Sequence, residues 1–372
     1  MVEMKKGATV MEKEKIAPSQ YGLLLYSLLA YDGLLLIPKI TGKEAGRDLW
    51  LSPIWAHLAG LLFVLVMMRM SRMFPNETII QYCRRLFGPI AGSAAGLAIL
   101  FYAIYLPSVI LRIYGDFISA VYLERTPDLV IMGGMMLLVS YAVRGGAEVL
   151  GRLAQLFLPT TLLIFAALLI LTIPEWNPFN MLPVMGRGAA PSIRGALVPF
   201  TWFAGYIMIG LYYPHVNNQR RARIYTFVIW FAVMATLSVS GLVSVLLFGE
   251  HARTLNYPFV EVVRYIGVGE FFQHIDALLL AIWLPGTFLQ LATYLFGAVS
   301  GTAQWLGLHD YRAIAFPMGL LVLVLSVWGP DSEVDFERYL GSGHIIVDLF
   351  YIALGLMLFA AVLVRRFWKR VS

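Results

Sequence analysis

The segment Tyr21–Ile40, YGLLLYSLLAYDGLLLIPKI, is long and apolar enough to cross a bilayer, yet it carries a carboxylate, Asp32, near its middle. A run of roughly 20 apolar residues reads as a transmembrane helix. A carboxylate at that depth costs on the order of 2.5–3.5 kcal/mol even on the most forgiving scale, so Asp32 is expected to face protein or water and not lipid. Gly33 follows directly, and Pro38 lies further along the same segment. Gly accepts non-helical backbone and Asp competes for backbone hydrogen bonds, so this pair predicts a break in the span. Broken helices persist in membranes only where the freed backbone faces protein or a water-filled cavity. The expectation is a binding site inside the membrane, with Ala30, Tyr31, Asp32 and Gly33 forming one wall.

Composition narrows the class. The chain is 59% hydrophobic and 13% charged, against about 25% charged in a typical soluble domain. That excludes a soluble enzyme and points to an all-α, multi-pass membrane protein. A single cysteine, Cys83, excludes an internal disulfide framework, and the six His form no HExxH pattern, so no metal centre is expected. Residues 1–20 have basic groups but no apolar stretch of their own, which reads as a cytoplasmic tail and not a signal peptide. The net charge of +6 comes from cations scattered at the ends of apolar spans. Membrane topology accounts for them, and no nucleic-acid partner is implied.

Ten apolar spans are expected at about 21–40, 51–69, 90–115, 128–143, 153–173, 193–213, 223–248, 272–300, 313–328 and 343–364, with 367–372 as a second short tail. With both ends on the cytoplasmic side, the inner segments carry eighteen Lys and Arg against nine outside, and Arg112 falls within a span. The positive-inside rule favours that orientation. Spans one to five (about 21–173) and six to ten (about 193–366) make near-equal halves. The sixth span, RGALVPFTWFAGYIMIGLYYP, contains Pro199, Gly205 and Gly210 and ends at Pro214. Interrupted spans at matching places in two halves point to a 5+5 inverted repeat with the site between the breaks. The second wall is then Phe203, Ala204, Gly205 and Tyr206. Of the loops, 70–88 reads as a short interfacial helix, 258–267 as a short helix over the outer vestibule, and 174–192 as irregular.

Further polar residues fall on helical faces. Tyr105, Ser108 and Arg112 share one face of the third span, and Trp283, Thr287, Gln290 and Tyr294 share one face of the eighth. Polar groups at this depth need protein or water. Thr287 and Gln290 therefore either line a cavity or bond neighbouring helices. Arg112 pairs either with Asp32 or a ligand carboxylate across a cavity, or with Asp116 one turn on. His344 with Asp348, and His274 with Asp276, read as solvated ion pairs near the outer surface. No nucleophile elbow, P-loop or paired catalytic carboxylates occur, so the chemistry on offer is recognition without a cofactor. Free helix ends favour a carboxylate, while Asp32 and free carbonyls favour an ammonium. A small amino-acid-like ligand fits that layout, as would an amine or a lone cation.

Several segments carry a family resemblance: YDGLLLIP (31–38), DLWLS (48–52), FGPIAG (87–92), YLERTP (122–127), NPFNMLPVMGRG (177–188), FAGYIMIGLYYP (203–214) and GPDS (329–332). In order and spacing the whole chain resembles the B subunits of GerA-type spore germinant receptors, a branch of the amino acid–polyamine–organocation transporter superfamily. The resemblance implies a LeuT-like core of ten helices with broken first and sixth helices and a ligand pocket at the breaks. It also implies an A subunit and a lipoprotein C subunit as partners in a spore inner membrane. The chain departs from the family pattern where relatives have a GAG-like break and this one has Tyr31-Asp32-Gly33. It departs again at Ile207, where relatives commonly carry a carboxylate. Nutrient sensing is the first expectation, and an amino acid permease coupled to protons or sodium the alternative.

Overall fold

A helix that is apolar on every side belongs in the interior of a bundle. Helix α1 (Pro18–Ala45) is of that kind, since every residue from Leu24 to Pro38 is buried. The computed structural model describes residues 15–265, 276–328, 339 and 343–371. After α1 come α2 (Ser52–Met73), α3 (Ile79–Val121), α4 (Asp128–Arg144) and α5 (Ala147–Thr172). The sixth span is composite: α6 (Ala190–Gly195), α7 (Leu197–Thr201), a 3-10 segment Trp202–Met208, and α8 (Ile209–Tyr212). The chain continues through α9 (Gln219–Phe248), α10 (Pro258–Arg264), α11 (Asp276–Leu306), α12 (Ala315–Val327) and α13 (His344–Val371). Each expected span has its helical counterpart, and α13 runs on through the stretch read as a terminal tail. Among the described residues, six helical stretches are long and apolar enough to cross a membrane.

The predicted interruption of the first span is not there. α1 passes through Asp32 and Gly33 as regular helix, with Pro38 inside it. The glycine serves close packing instead: a Cβ on Gly33 would stand 2.6 Å from Leu237 Cδ2 of α9. Two polar side chains of α1 are also satisfied without unwinding the backbone. Tyr26 Oη and Thr236 Oγ1 lie 2.9 Å apart, and Ser27 Oγ donates to the Leu24 carbonyl at 2.7 Å. The interruption of the sixth span is present. Mid-helix 3-10 winding often marks a hinge or a strained sequence, and here it occupies Trp202–Met208, around Gly205. That segment packs against α1, α2 and α13.

The chain before α1 is tied to the far end of the composite span. Ile16 N–H donates to the His215 carbonyl at 2.8 Å, and Asn217 N–H to the Ile16 carbonyl at 3.0 Å. The start of α1 and the end of the sixth span are therefore held together at one face of the bundle. The interfacial helix expected over 70–88 forms from Ile79, opened by a Thr78–Gln81 capping box, and turns into the long part of α3 at Gly88. Gly88 has φ 82°, a backbone conformation glycine adopts at little cost. The short helix expected at 258–267 is α10, with Phe259 buried and its ring 5.4 Å from Phe165. The last part of the 258–267 stretch, His274 and the GPDS motif lie outside the described residues.

Candidate functional site

The helical repeat brings the site's walls together. On α1, Asp32, Leu36 and Ile40 recur every fourth residue and so share one face. Facing them are Tyr102, Leu106, Ile110 and Ile113 of α3, Gln290 and Tyr294 of α11, His344 and Asp348 of α13, and Trp202 at the start of the 3-10 segment. They enclose a cavity of about 40 Å³, room for a few waters, so an amino-acid-sized occupant requires these walls to part. The walls are mainly aliphatic, with polar groups gathered around Asp32 and Asp348.

Gln290 Nε2 donates to Asp32 Oδ2 at 2.9 Å and to the Leu28 carbonyl at 3.2 Å. Asp32 Oδ1 and Gln290 Oε1 are left without a protein partner, as are Tyr294 Oη and Trp202 Nε1. Asp32 is 5% exposed and Gln290 2%. Unsatisfied polar atoms this deep are costly and call for an occupant. Two are acceptors, one is a donor, and the Tyr294 hydroxyl can be either. An ammonium fits the acceptors and a carboxylate fits the donors.

The second polar cluster corrects a reading from sequence. His344 and Asp348 are not solvated at the outer surface but are buried, at 5% and 0% exposure, in the wall of this cavity. Tyr102 Oη donates to Asp348 Oδ1 at 3.0 Å, and His344 Nε2 lies 3.3 Å from Asp348 Oδ2. His344 Nδ1 meets Tyr105 Oη at 3.0 Å, and that hydroxyl also bonds Tyr339. The beginning of α13 is thus turned inward by a chain of hydrogen bonds to α3. Tyr102→Phe removes the donor to a buried carboxylate and is expected to lower stability by about 1–3 kcal/mol. A thermal unfolding midpoint unchanged from wild type would contradict this role.

The remaining expected site residues distribute as follows. Ala30 is buried in α1 away from the lining. Tyr31 points toward α5, its hydroxyl 3.1 Å from Thr161 Oγ1. Ser108 is absorbed locally, donating to the Tyr105 carbonyl at 2.6 Å. Phe203 packs edge-on to His57, ring centres 4.9 Å apart, and Ala204 is buried beside it. Gly205 faces the Tyr294 hydroxyl, and Tyr206 is buried with its own hydroxyl unpartnered. Trp283 stacks on Tyr114 and meets Phe117 edge-on, and Thr287 is buried with Oγ1 unpartnered. Of the expected set, Asp32 and Gln290 line the cavity.

Arg112 resolves to the local alternative. Its Nε lies 2.8 Å from Asp116 Oδ1, one helical turn on. Leu106, Ile110 and Ile113 define the cavity face of α3, and Arg112 falls off that face. Arg112→Lys keeps the charge beside Asp116 and is expected to change ligand sensitivity by less than about threefold, in line with the modest worth of most ion pairs. A dose–response curve displaced tenfold or more would contradict this placement.

Tyr102, Trp202, His344 and Asp348 were not among the expected site residues. The usable signal was Asp348: a carboxylate inside an apolar span marks a functional position by default, as it did for Asp32.

The comparisons with known proteins agree with this architecture. Among solved structures, MhsT in complex with L-phenylalanine superposes with a TM-score of 0.64 at 12% identity, covering 91% of this chain and 89% of that one. A Na⁺-coupled sialic acid symporter gives a TM-score of 0.65 at 11% identity, covering 94% and 82%. These likenesses establish a LeuT-like fold. In sequence, Bacillus subtilis spore germination protein KB is 25% identical over 91% of both chains. Bacillus subtilis spore germination protein YndE is 23% identical over 86% of this chain and 89% of its own length. Bacillus anthracis spore germination protein XB is 23% identical over 90% and 92%. Residues 15–334 match the Spore_permease family, described as spore germination protein, and with that span matched the chain belongs to this family of membrane proteins.

Proposed function

We propose that the chain is the nutrient-sensing membrane subunit of a spore germinant receptor. It binds a small amino-acid-like ligand in the cavity beside Asp32 and performs no covalent chemistry on it. The observation that carries this reading is the group of unpartnered polar atoms at the cavity: Asp32 Oδ1 and Gln290 Oε1 for an ammonium, Trp202 Nε1 and Tyr294 Oη for a carboxylate. Because α1 is continuous, the side chains of Asp32 and Gln290 take the place of the unwound carbonyls expected from sequence. The 3-10 segment Trp202–Met208 is the element that changes with occupancy, since it joins Trp202 to the buried aromatic contacts of Phe203. A ligand moves such an equilibrium only by its differential affinity for the two states.

In this reading the halves at about 21–173 and 193–366 are the inverted repeats and both ends are cytoplasmic. The subunit works in the inner membrane of the spore beside A-type and lipoprotein C-type subunits. The spore germination relatives support the setting, and the distribution of Lys and Arg supports the orientation. The experiment is thermal unfolding of the purified chain against a panel of amino acids, nucleosides and sugars. Compounds with a free ammonium are expected to raise the midpoint. A panel in which only sugars or nucleosides do so would contradict the reading.

A further inference from the structure

Away from the central cavity, a groove opens on the outside of the bundle where α4, α5 and α11 meet. It holds about 910 Å³, far more than the cavity of about 40 Å³ around Asp32. Its walls are apolar, among them Leu138 of α4, Leu153 and Phe157 of α5, and Phe288 of α11. Phe157 and Phe288 meet edge-on, ring centres 6.1 Å apart. Pro285 stands in the α11 wall, where it withholds a backbone N–H and a regular helical neighbour.

One end of this groove is unlike the rest. Arg144, the last residue of α4, and Arg312, just before α12, both line it. The Arg144 guanidinium lies over the Phe316 ring at 5.4 Å, an arrangement that fixes it by its face and leaves its N–H edge for an anion. From Arg144 back to Met135, the α4 wall extends about 13 Å, close to the hydrocarbon depth of one leaflet, about 15 Å. An apolar trough of one-leaflet depth, with cations at its membrane-surface end, has the outline of a phospholipid.

We propose that this groove is a binding site for an anionic phospholipid, with an acyl chain along Leu153 and Phe157 and the phosphate between Arg144 and Arg312. Basic pockets between membrane helices recognise such headgroups by charge. A choline headgroup would set its own cation beside the two arginines, so selectivity for a net-negative lipid follows. The site is independent of the ligand cavity, which has different walls.

The test uses the full chain in uncharged detergent, titrated with short-chain phosphatidylglycerol or with phosphatidylcholine of the same acyl length. Phosphatidylglycerol is expected to raise the unfolding midpoint and phosphatidylcholine to leave it unchanged. The R144Q/R312Q double variant is expected to lose roughly tenfold or more in apparent affinity for phosphatidylglycerol. R144K/R312K keeps both charges and is expected to retain most of that affinity. Leu153→Trp fills the trough without touching the charges and is expected to weaken binding as well. Equal stabilisation by the two lipids, or a preference that survives in the double glutamine variant, would overturn the proposal. So would a shift reproduced by glycerol 3-phosphate alone, which has the headgroup chemistry and no chain. Should the glutamine variant fail to fold, Leu153→Trp decides: an undiminished preference for phosphatidylglycerol in that variant overturns the site.

Discussion

Asp32→Asn is expected to abolish the response to an amine-bearing ligand at concentrations that saturate the wild type. Truncating one partner of a buried, hydrogen-bonded charge pair costs about 2–5 kcal/mol, roughly a 30-fold to several-thousand-fold loss of affinity. Folding should survive, because the Asn carbonyl still accepts from Gln290 Nε2 as Asp32 Oδ2 does at 2.9 Å. What is lost is the charge shared with Oδ1, the buried atom left without a protein partner. Titration calorimetry with the amino acid that most stabilises the wild type measures the change. An affinity within threefold of wild type would remove Asp32 from the site.

The second large effect is on stability. Tyr31 lies directly over Gly286 of α11: a Cβ there would stand 2.0 Å from Tyr31 Cδ1 and 2.2 Å from Cε1. The ring cannot simply swing aside, since its hydroxyl is held 3.1 Å from Thr161 and its edge meets Tyr26 at 6.0 Å. Gly286→Ala is therefore expected to destabilise the protein by about 1–3 kcal/mol, the usual range for overpacking. Gly134, also within a helix, has nothing within 4 Å of a would-be Cβ. Gly134→Ala is expected to be neutral or to stabilise by up to about 1 kcal/mol. Equal midpoints for the two variants would show that the contact over Gly286 is not rigid.

The span pattern was legible because it depends on burial alone. A run such as 224–248 is uncharged over a membrane's width whatever its neighbours are. Asp32 was legible for the same reason: its cost in lipid forces it inward. The local state of the backbone beside it was not, because Gly33 can serve either an unwound turn or close packing. The choice depends on Leu237, distant in sequence, which fills the space a side chain would need. In the sixth span the same residue types coincide with 3-10 winding, and there Gly205 faces the Tyr294 hydroxyl. Which helical face looks inward is also a tertiary fact. Arg112 shares a face with Tyr105 in sequence, but its nearest anion is Asp116 one turn away. Asp348 was misplaced because its position near a span end suggested water, whereas hydrogen bonding to Tyr102 draws that end of α13 into the bundle.

The central claim is that the cavity between α1, α3, α11, α13 and the 3-10 segment holds the ligand by its ammonium group. An electron cryo-microscopy structure of the chain with its best-stabilising amino acid tests this most directly. The account predicts ligand density in that cavity, its nitrogen about 3 Å from Asp32 Oδ1 and Gln290 Oε1 and its carboxylate toward Trp202 Nε1. Ligand density elsewhere, against Arg112 and Asp116 or in the groove at Arg144, with the Asp32 cavity unliganded, would contradict it.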